Sequence, residues 1–446
     1  MVDDPDMGTG SNGDAPLSDQ TSDLTGRYIV VFSDEVAGDA GASAAALQSL
    51  DGVSNVASSL DFDEGAVDLE QTDSADATIF AELGVAVVAA DPSAGGRIAA
   101  FAESDSRILA VEPERIQYAI DERGALSIEY VRGFRDGVSG LYDELMAQPA
   151  NGVAEAGVES TFVDSAAFTW GLVATRASVS ARTGAGIGLA VLDTGFDLNH
   201  ADFAGRPIVS RSFVSGQAVQ DGHGHGTHCV GTSCGPKDPP GPSRRYGVAT
   251  QARIFAGKVL SNQGSGSDGQ ILAGMNWAIA NQVRVISMSL GADVNQVSQA
   301  YTAVGQRALS AGTLIVAAAG NNAHRSAGNV GFVGMPANSP TIMAVAAVDA
   351  NLQIADFSAR SSALAGGKVD IAGPGVAVYS SWPMPTQYRS ISGTSMATPH
   401  VAGVAALLSE ATGARGAQLW TKLTQTARPL SLSSADVGAG LVQAPL

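Results

Sequence analysis

The chain predicts an α/β fold: a large domain built on a parallel sheet with helices on both faces, preceded by a small α+β domain. Three observations carry this. From about Trp170 onward, short apolar runs bounded by glycine alternate with helical patterns, as strands buried on both faces do when helices connect them. Before that, residues 27–120 read as strands and helices in the order βαββαβ. Between the two regions the charge balance changes sign. Residues 1–165 hold 32 acidic and 7 basic side chains and residues 166–446 hold 12 and 18, within a net charge of −19.

The elements follow in order. Residues 1–24 are rich in Asp, Ser and Gly and read as a disordered acidic tail. They hold no apolar h-region, so no signal peptide is expected in them. Residues 25–120 form the small domain. "RYIVVF" is a strand, "GASAAALQSL" a helix, and a weaker strand is expected within 56–71. "GVAVVAA" is a strand, "GGRIAAFAES" a helix, and "ILAVEPERIQYAI" closes with a strand. That order is ferredoxin-like. Residues 121–165 form a linker in which Ile128, Val131, Phe134, Val138, Leu141 and Leu145 recur at helical spacing. Residues 166–446 form the large domain. Its strands are "GIGLAVLDTG", "ARIFAGKVL", "VRVISMSLG", "TLIVAAAGN" and "TIMAVAAVD"; its helices lie around "DGQILAGMNWAIANQ", "VNQVSQAYTAVGQRALSAG" and "ATPHVAGVAALLSEATG". Sheets of this kind bind ligands at the carboxyl ends of their strands.

Composition excludes several classes. No run of 18 apolar residues occurs, so no membrane-spanning helix is expected. No basic stripe points to nucleic acid. Cys229 and Cys234 are the only cysteines, too few for a disulfide scaffold. Five positions apart on one helix, they point about 140° apart, which argues against a mutual disulfide.

The chemistry concentrates in four short stretches. "AVLDTG" ends an apolar strand on Asp193. "QDGHGHGTHCVGTSCG" holds three of the six histidines, His223, His225 and His228. "AAAGNN" ends another strand at Gly320 and Asn321. "GTSMATPHVAG" sets Ser395 at a helix start. Taken singly, Asp193 could cap a turn, Ser395 could be an N-cap and Asn321 a turn residue. Together they supply what amide hydrolysis needs: a nucleophile, a base, a group that orients the base, and a donor for the oxyanion. A metal reading of the histidines is weak, because they lack the intervening Glu and the spacing of four found in H-E-x-x-H zinc proteases.

"VLDTG", "HGHGTHCVGT", "SLG", "AAAGNN" and "ISGTSMATPHVAG" resemble the signature segments of the subtilase family, in that family's order, over roughly Trp170 to Leu446. "DGHGHGTHC" and "RRYGVATQARIFAGKVL" are most similar to its proteinase K-like branch. The resemblance implies a serine endopeptidase acting on proteins or peptides, with Ser395 as nucleophile, His225 as general base, Asp193 orienting it, and Asn321 with the Ser395 backbone N–H holding the oxyanion. His228 then becomes a packed helix residue, and Cys229 a buried thiol beneath the base. It further implies substrate edges at Gly264, Ser265, Gly266 and at Ser289, Leu290, Gly291. A primary pocket would be walled by Ala317 to Gly320, Ala318 among them, and floored near Gly334, suited to large apolar residues. No cofactor is implied for catalysis, but a structural calcium ion is, at Asp370 with the carbonyls of Pro340 and Ile342. Residues 27–120 are similar to the inhibitor-like propeptide of these enzymes, which implies a self-processed zymogen whose first partner is its own propeptide. A monomer outside the cell is expected on the same grounds, with a cytoplasmic location as the alternative. The alternative function is a non-catalytic or permanently self-inhibited member whose N-terminal domain acts as an inhibitor or binding module.

Overall fold

The computed structural model describes residues 23–50, 52–89, 105–120, 162–240, 244–362 and 367–446. The large domain is centred on a seven-stranded sheet. Its strands are β6 (Gly188–Asp193), β7 (Ile208–Ser212), β8 (Arg253–Lys258), β10 (Val285–Met288), β12 (Leu314–Ala318), β13 (Met343–Val348) and β14 (Ile371–Pro374), in the order β14-β13-β12-β10-β6-β8-β7. Every neighbouring pair is parallel. β6, β8, β10, β12 and β13 are the apolar runs read from the sequence. β7 and β14 are additional and lie toward or at the edges, where a shorter apolar signal suffices.

One sheet face carries α2 (His225–Cys234) and α5 (Thr394–Thr412). Their apolar sides share a core with alternate strand residues such as Leu189, Val191, Val285, Leu314 and Val345. The opposite face carries α3 (Asp268–Ala280) and α4 (Gln299–Ala311), packed on Ala190, Leu192, Ile286 and Ile315. Strand residues i and i+1 point to opposite faces, so each five-residue apolar run feeds both layers. Ser267 caps α3 through a capping box with Gln270, and Ser298 caps α4. Among the described residues no helix is long and apolar enough to cross a membrane.

The N-terminal unit contains β1 (Leu24–Phe32), α1 (Ala40–Gln48), β2 (Val56–Ser58), β3 (Ala77–Phe80), β4 (Val85–Val88) and β5 (Ile108–Ala119), with strand order β5-β1-β4-β3-β2. β1 begins at Leu24, three residues before the predicted strand, because Leu24 pairs with Arg115 and the Asp23 carbonyl accepts the Ile116 N–H at 2.8 Å. β2 falls within the 56–71 window, as expected, and Ala77–Phe80 is an additional strand beyond it. Its four residues, fully buried between β2 and β4, are too few to show a period. The helix expected at 95–104 and the amphipathic segment of 121–165 fall outside the described residues.

This small sheet is itself two-faced. Val30, Phe32, Ile79, Ala86 and Val88 pack on Leu47 of α1. Ile29, Val31, Phe80, Val85 and Val87 join the core containing Ile271, Met275 and Tyr301 of α3 and α4. The N-terminal unit is thus seated on the two helices that flank the carboxyl edge of β10. Its last strand, β5, runs on into the large domain, between β9 (Ser265–Ser267) and β11 (Leu290–Gly291), antiparallel to both.

Candidate active site

Asp193 is the last residue of β6, near the middle of the sheet, with its side chain 1% exposed. Its Oδ1 accepts the Thr194 N–H at 2.7 Å and lies 2.8 Å from Nδ1 of His225, the first residue of α2. Burial pulls the His225 imidazole down, but the Asp193 carboxylate and then Cys229 push it up, and the net direction is well above its ordinary value. The other ring nitrogen, Nε2, is buried and has no hydrogen-bond partner among the described residues.

Asp221 sets the position of this histidine. Its Oδ1 accepts the His223 and Gly224 N–H groups and the Thr194 hydroxyl, at 2.9, 2.8 and 2.9 Å; its Oδ2 accepts the Thr227 N–H and hydroxyl at 2.9 and 2.8 Å. One carboxylate therefore satisfies first-turn donors of α2 and ties that turn to the end of β6, where a negative charge is also favoured by the helix dipole. The sequence reading passed over Asp221. An Asp ahead of a Gly-rich helix start was the available signal. His228 sits one turn on, buried, its Nε2 2.9 Å from the Val378 carbonyl; burial lowers its pKa to about 3. Cys229 and Cys234 are both free and buried, and the Cys229 Sγ lies 3.9 Å from His225 Nδ1. Asp193, His225 and Cys229 are the one His/Cys/Asp/Glu trio grouped closely enough for a metal among the described residues, but the imidazole and carboxylate are already engaged with each other.

Ser395 is the second residue of α5. Its Oγ is 3.1 Å from the Ser289 carbonyl and donates a short hydrogen bond to the carbonyl oxygen of Ile120. Asn321, just beyond β12, presents its Nδ2 to the same Ile120 oxygen at 3.5 Å. Its Oδ1 is held by the Thr394 N–H and hydroxyl at 3.0 and 2.9 Å, which aims the amide. Gly393 leaves room for both groups at this point. A Cβ there would stand 3.1 Å from Asn321 Nδ2 and 3.2 Å from the Ile120 oxygen.

The two expected substrate edges converge on residues 116–120. The Ala119 N–H donates to the Gly264 carbonyl at 2.8 Å and the Ile120 N–H to the Ser289 carbonyl at 3.2 Å. Gln117 faces Gly266 and Tyr118 faces Ser265 on one side; Tyr118 faces Gly291 and Ala119 faces Leu290 on the other. The Gly334 N–H donates to Ala319 at 3.0 Å, which joins the expected pocket floor to the wall carrying Ala318 and Gly320. Gln117 and Ile120, which no sequence motif singled out, lie on the segment where these edges meet.

Asp370 stands apart from this cluster, ahead of β14. Its Oδ2 accepts the Ala344 N–H at 3.0 Å, its Oδ1 lies 3.8 Å from Lys368 Nζ, and burial raises it to about 6. Pro340 and Ile342 lead into the neighbouring strand β13. A largely buried carboxylate with one backbone donor and a distant ammonium for compensation fits a hard cation.

Residues 184–440 match the model of the subtilase family. The chain is 38% identical to Subtilisin DY of Bacillus licheniformis over 271 residues, covering 60% of this chain and 93% of that one. It is 41% identical to Subtilisin E of Bacillus subtilis over 263 residues, 58% of this chain and 65% of that one. It is 39% identical to Alkaline elastase YaB of a Bacillus species over 307 residues, 68% of this chain and 75% of that one.

Proposed function

The chain belongs to the subtilase family and is a serine endopeptidase, and from this premise we propose that Ser395, His225, Asp193 and Asn321 carry its chemistry in a self-processed zymogen. The observation that carries the reading is the position of the Ile120 carbonyl. Its oxygen meets both Ser395 Oγ and Asn321 Nδ2, while the strand that bears it is paired on both sides. That is the arrangement a peptide needs for attack. Residues 264–266 and 289–291 are the substrate edges, and residues 25–120 are the propeptide. The bond between Ile120 and Asp121 is the one first cut.

The steps begin when the Ser395 hydroxyl, which here donates to the Ile120 carbonyl, turns toward Nε2 of His225. Ser395 passes its proton to the unpartnered Nε2 of His225 and its Oγ bonds to the carbonyl carbon. Asp193 holds the imidazole by Nδ1 and stabilises the imidazolium. The developing oxyanion takes hydrogen bonds from Asn321 Nδ2 and from the Ser395 N–H, one of the free donors of the first turn of α5. His225 then returns the proton to the leaving amine, and water repeats the sequence on the acyl-enzyme.

Cys229 beneath the imidazole and Asp370 beside residues 340–344 support the proteinase K-like branch. At Asp370 a calcium ion, with the Pro340 and Ile342 carbonyls, would supply the missing positive charge and serve stability rather than chemistry. The substrates are proteins and peptides, and the enzyme works as a monomer outside the cell. Expression of the full chain and of Ser395→Ala tests the core of this reading, with intact mass and amino-terminal sequencing as readout. The wild type should yield a new terminus at Asp121 and the variant should stay whole. An uncut wild type would favour the permanently self-inhibited alternative, and equal cutting of both would remove Ser395 from the mechanism.

A further inference from the structure

Gln117 is the one side chain of residues 116–120 that is wholly inaccessible to solvent, because it points down from the strand into the large domain. Its Nε2 donates to Asp268 Oδ1 at 2.8 Å and contacts Met335 Sδ at 3.6 Å. Its Oε1 is buried and has no partner among the described residues. Asp268 is 2% exposed and heads α3. Tyr301 Oη donates to its Oδ1 at 2.7 Å, and the Arg115 N–H to its Oδ2 at 2.8 Å. The walls around residue 117 therefore offer a carboxylate and a thioether, both acceptors, and give nothing to the amide oxygen. A cavity of ≈ 90 Å³ adjoins the site, bordered by Asp268, Met335 and Val294 of the large domain and by Glu112, Pro113 and Arg115 of the N-terminal unit.

We propose that this is a substrate subsite with Asp268 at its base, selecting a Lys or Arg side chain at the fourth residue on the amino side of the bond that is cut. The inference rests on the reading above, in which residues 117–120 occupy the cleft as substrate does. An ammonium or guanidinium is donor-only, so it leaves no orphan oxygen, whereas Gln must bury one at a cost. Its hydrogen bond to Asp268 is charge-assisted, and the adjoining cavity has room for the longer stem. An apolar side chain would shut a buried carboxylate away from water with one donor fewer. Sites built around a hydrogen-bonding group reject ligands that lack the partner far more strongly than apolar slots reject a missing methylene. Burial already pushes Asp268 up to about 6, which marks a carboxylate short of positive charge. Glu112 and Glu114 belong to the N-terminal unit and leave with it, whereas Asp268 stays.

The test uses enzyme that has processed itself from the full chain, with the peptides acyl-X-Tyr-Ala-Ile-aminomethylcoumarin, where X is Lys, Arg, Gln, norleucine or Glu. Lys and Arg should exceed norleucine by about tenfold or more in kcat/KM, with Glu poorest, and Asp268→Asn should collapse the ratio toward unity. Norleucine equal to or better than Lys, with hydrolysis still dependent on Ser395, would overturn the subsite and leave the proposed function standing. A second measurement needs no catalysis. In the full chain carrying Ser395→Ala, Gln117→Lys should melt at or above the parent and Gln117→Met below it. The reverse order would overturn the proposal even if no peptide were cut.

Discussion

His225 is held between opposing influences, and the balance fixes its pH behaviour. Burial favours the neutral ring, while Asp193 and Cys229 favour the charged one and prevail. Hydrolysis needs the neutral ring, so kcat/KM should fall as pH drops through that raised value. Asp193→Asn removes the chief upward push and should move the acid limb to lower pH while cutting the rate by about 10⁴. An acid limb that does not move would assign it to another group. Asn321→Ala should cost about 10²–10³ in kcat, a magnitude known from a subtilisin rather than derived for this chain. His228, with its pKa pulled to about 3, is neutral throughout the working range. His228→Ala should cost about 1–3 kcal/mol of stability and little of kcat once folded. At Asp370 the folded pKa of about 6 lies above the ordinary 3.8. Its contribution to stability is therefore fully present below the ordinary value and is lost as pH rises through 6. With chelator present, the melting temperature should carry that slope and Asp370→Asn should lack it; calcium should restore stability at pH 7 in the wild type alone. Asp193, His225, Asn321 and Ser395 were legible because each sits in a motif at a strand end or helix start. Asp221 carried a local signal, since most of its partners lie two to six positions on; Gln117 and Asp268 did not, because their meaning lies in partners 151 and 33 positions away in sequence.

At the scale of elements, two helices of the peptidase domain are capped from outside it. Glu112 accepts the Ser298 hydroxyl at 2.6 Å and the Gln299 N–H at 2.6 Å, at the start of α4. Glu114, fully buried, accepts the Gly269 N–H of α3 at 2.9 Å and is paired with Arg27 at 2.6 and 2.8 Å. In the uncut chain, Glu112→Ala should lower stability by about 1 kcal/mol, as loss of a cap does. Glu114→Ala should cost about 2–3 kcal/mol, because it strands a buried donor and a cation. Equal effects in a melting experiment would contradict the difference in burial. The sequence marked "VEPE" only as part of a strand, since a cap supplied to a helix more than 150 positions away leaves no local pattern. The same limit explains the hairpin Val378–Ser381 with Tyr388–Ile391. Its four-residue strands, interrupted by polar side chains, are fixed by packing on α2 rather than by periodicity. The long runs β6, β8, β10, β12 and β13 were readable because burial on both faces demands continuous apolar sequence.

At the scale of the whole molecule, the charge asymmetry crosses the interface between the two units. Arg307 of α4 donates to the carbonyls of Phe32, Leu83 and Gly84 and to Asp34, and Glu70 accepts from the loop at Ser215. Exposed pairs of this kind add little affinity but speed encounter, by about 10–10³ at low salt. Residues 1–120 offered separately to the processed enzyme should therefore inhibit with an on-rate that falls steeply up to about 0.5 M salt and an off-rate that barely changes. Equal on-rates at both salts in stopped flow would leave the asymmetry without this role. The antiparallel course of β5 through the cleft has a further consequence. While the chain is whole, occupation of the cleft is intramolecular, and no dilution can reverse it. Cutting after Ile120 turns the same contacts into an association between two molecules, whose extent depends on how many of each share a volume. A concentrated batch of freshly cut enzyme should stay silent, and the same batch spread thin should come alive, with a delay set by the off-rate and the same whatever the starting concentration.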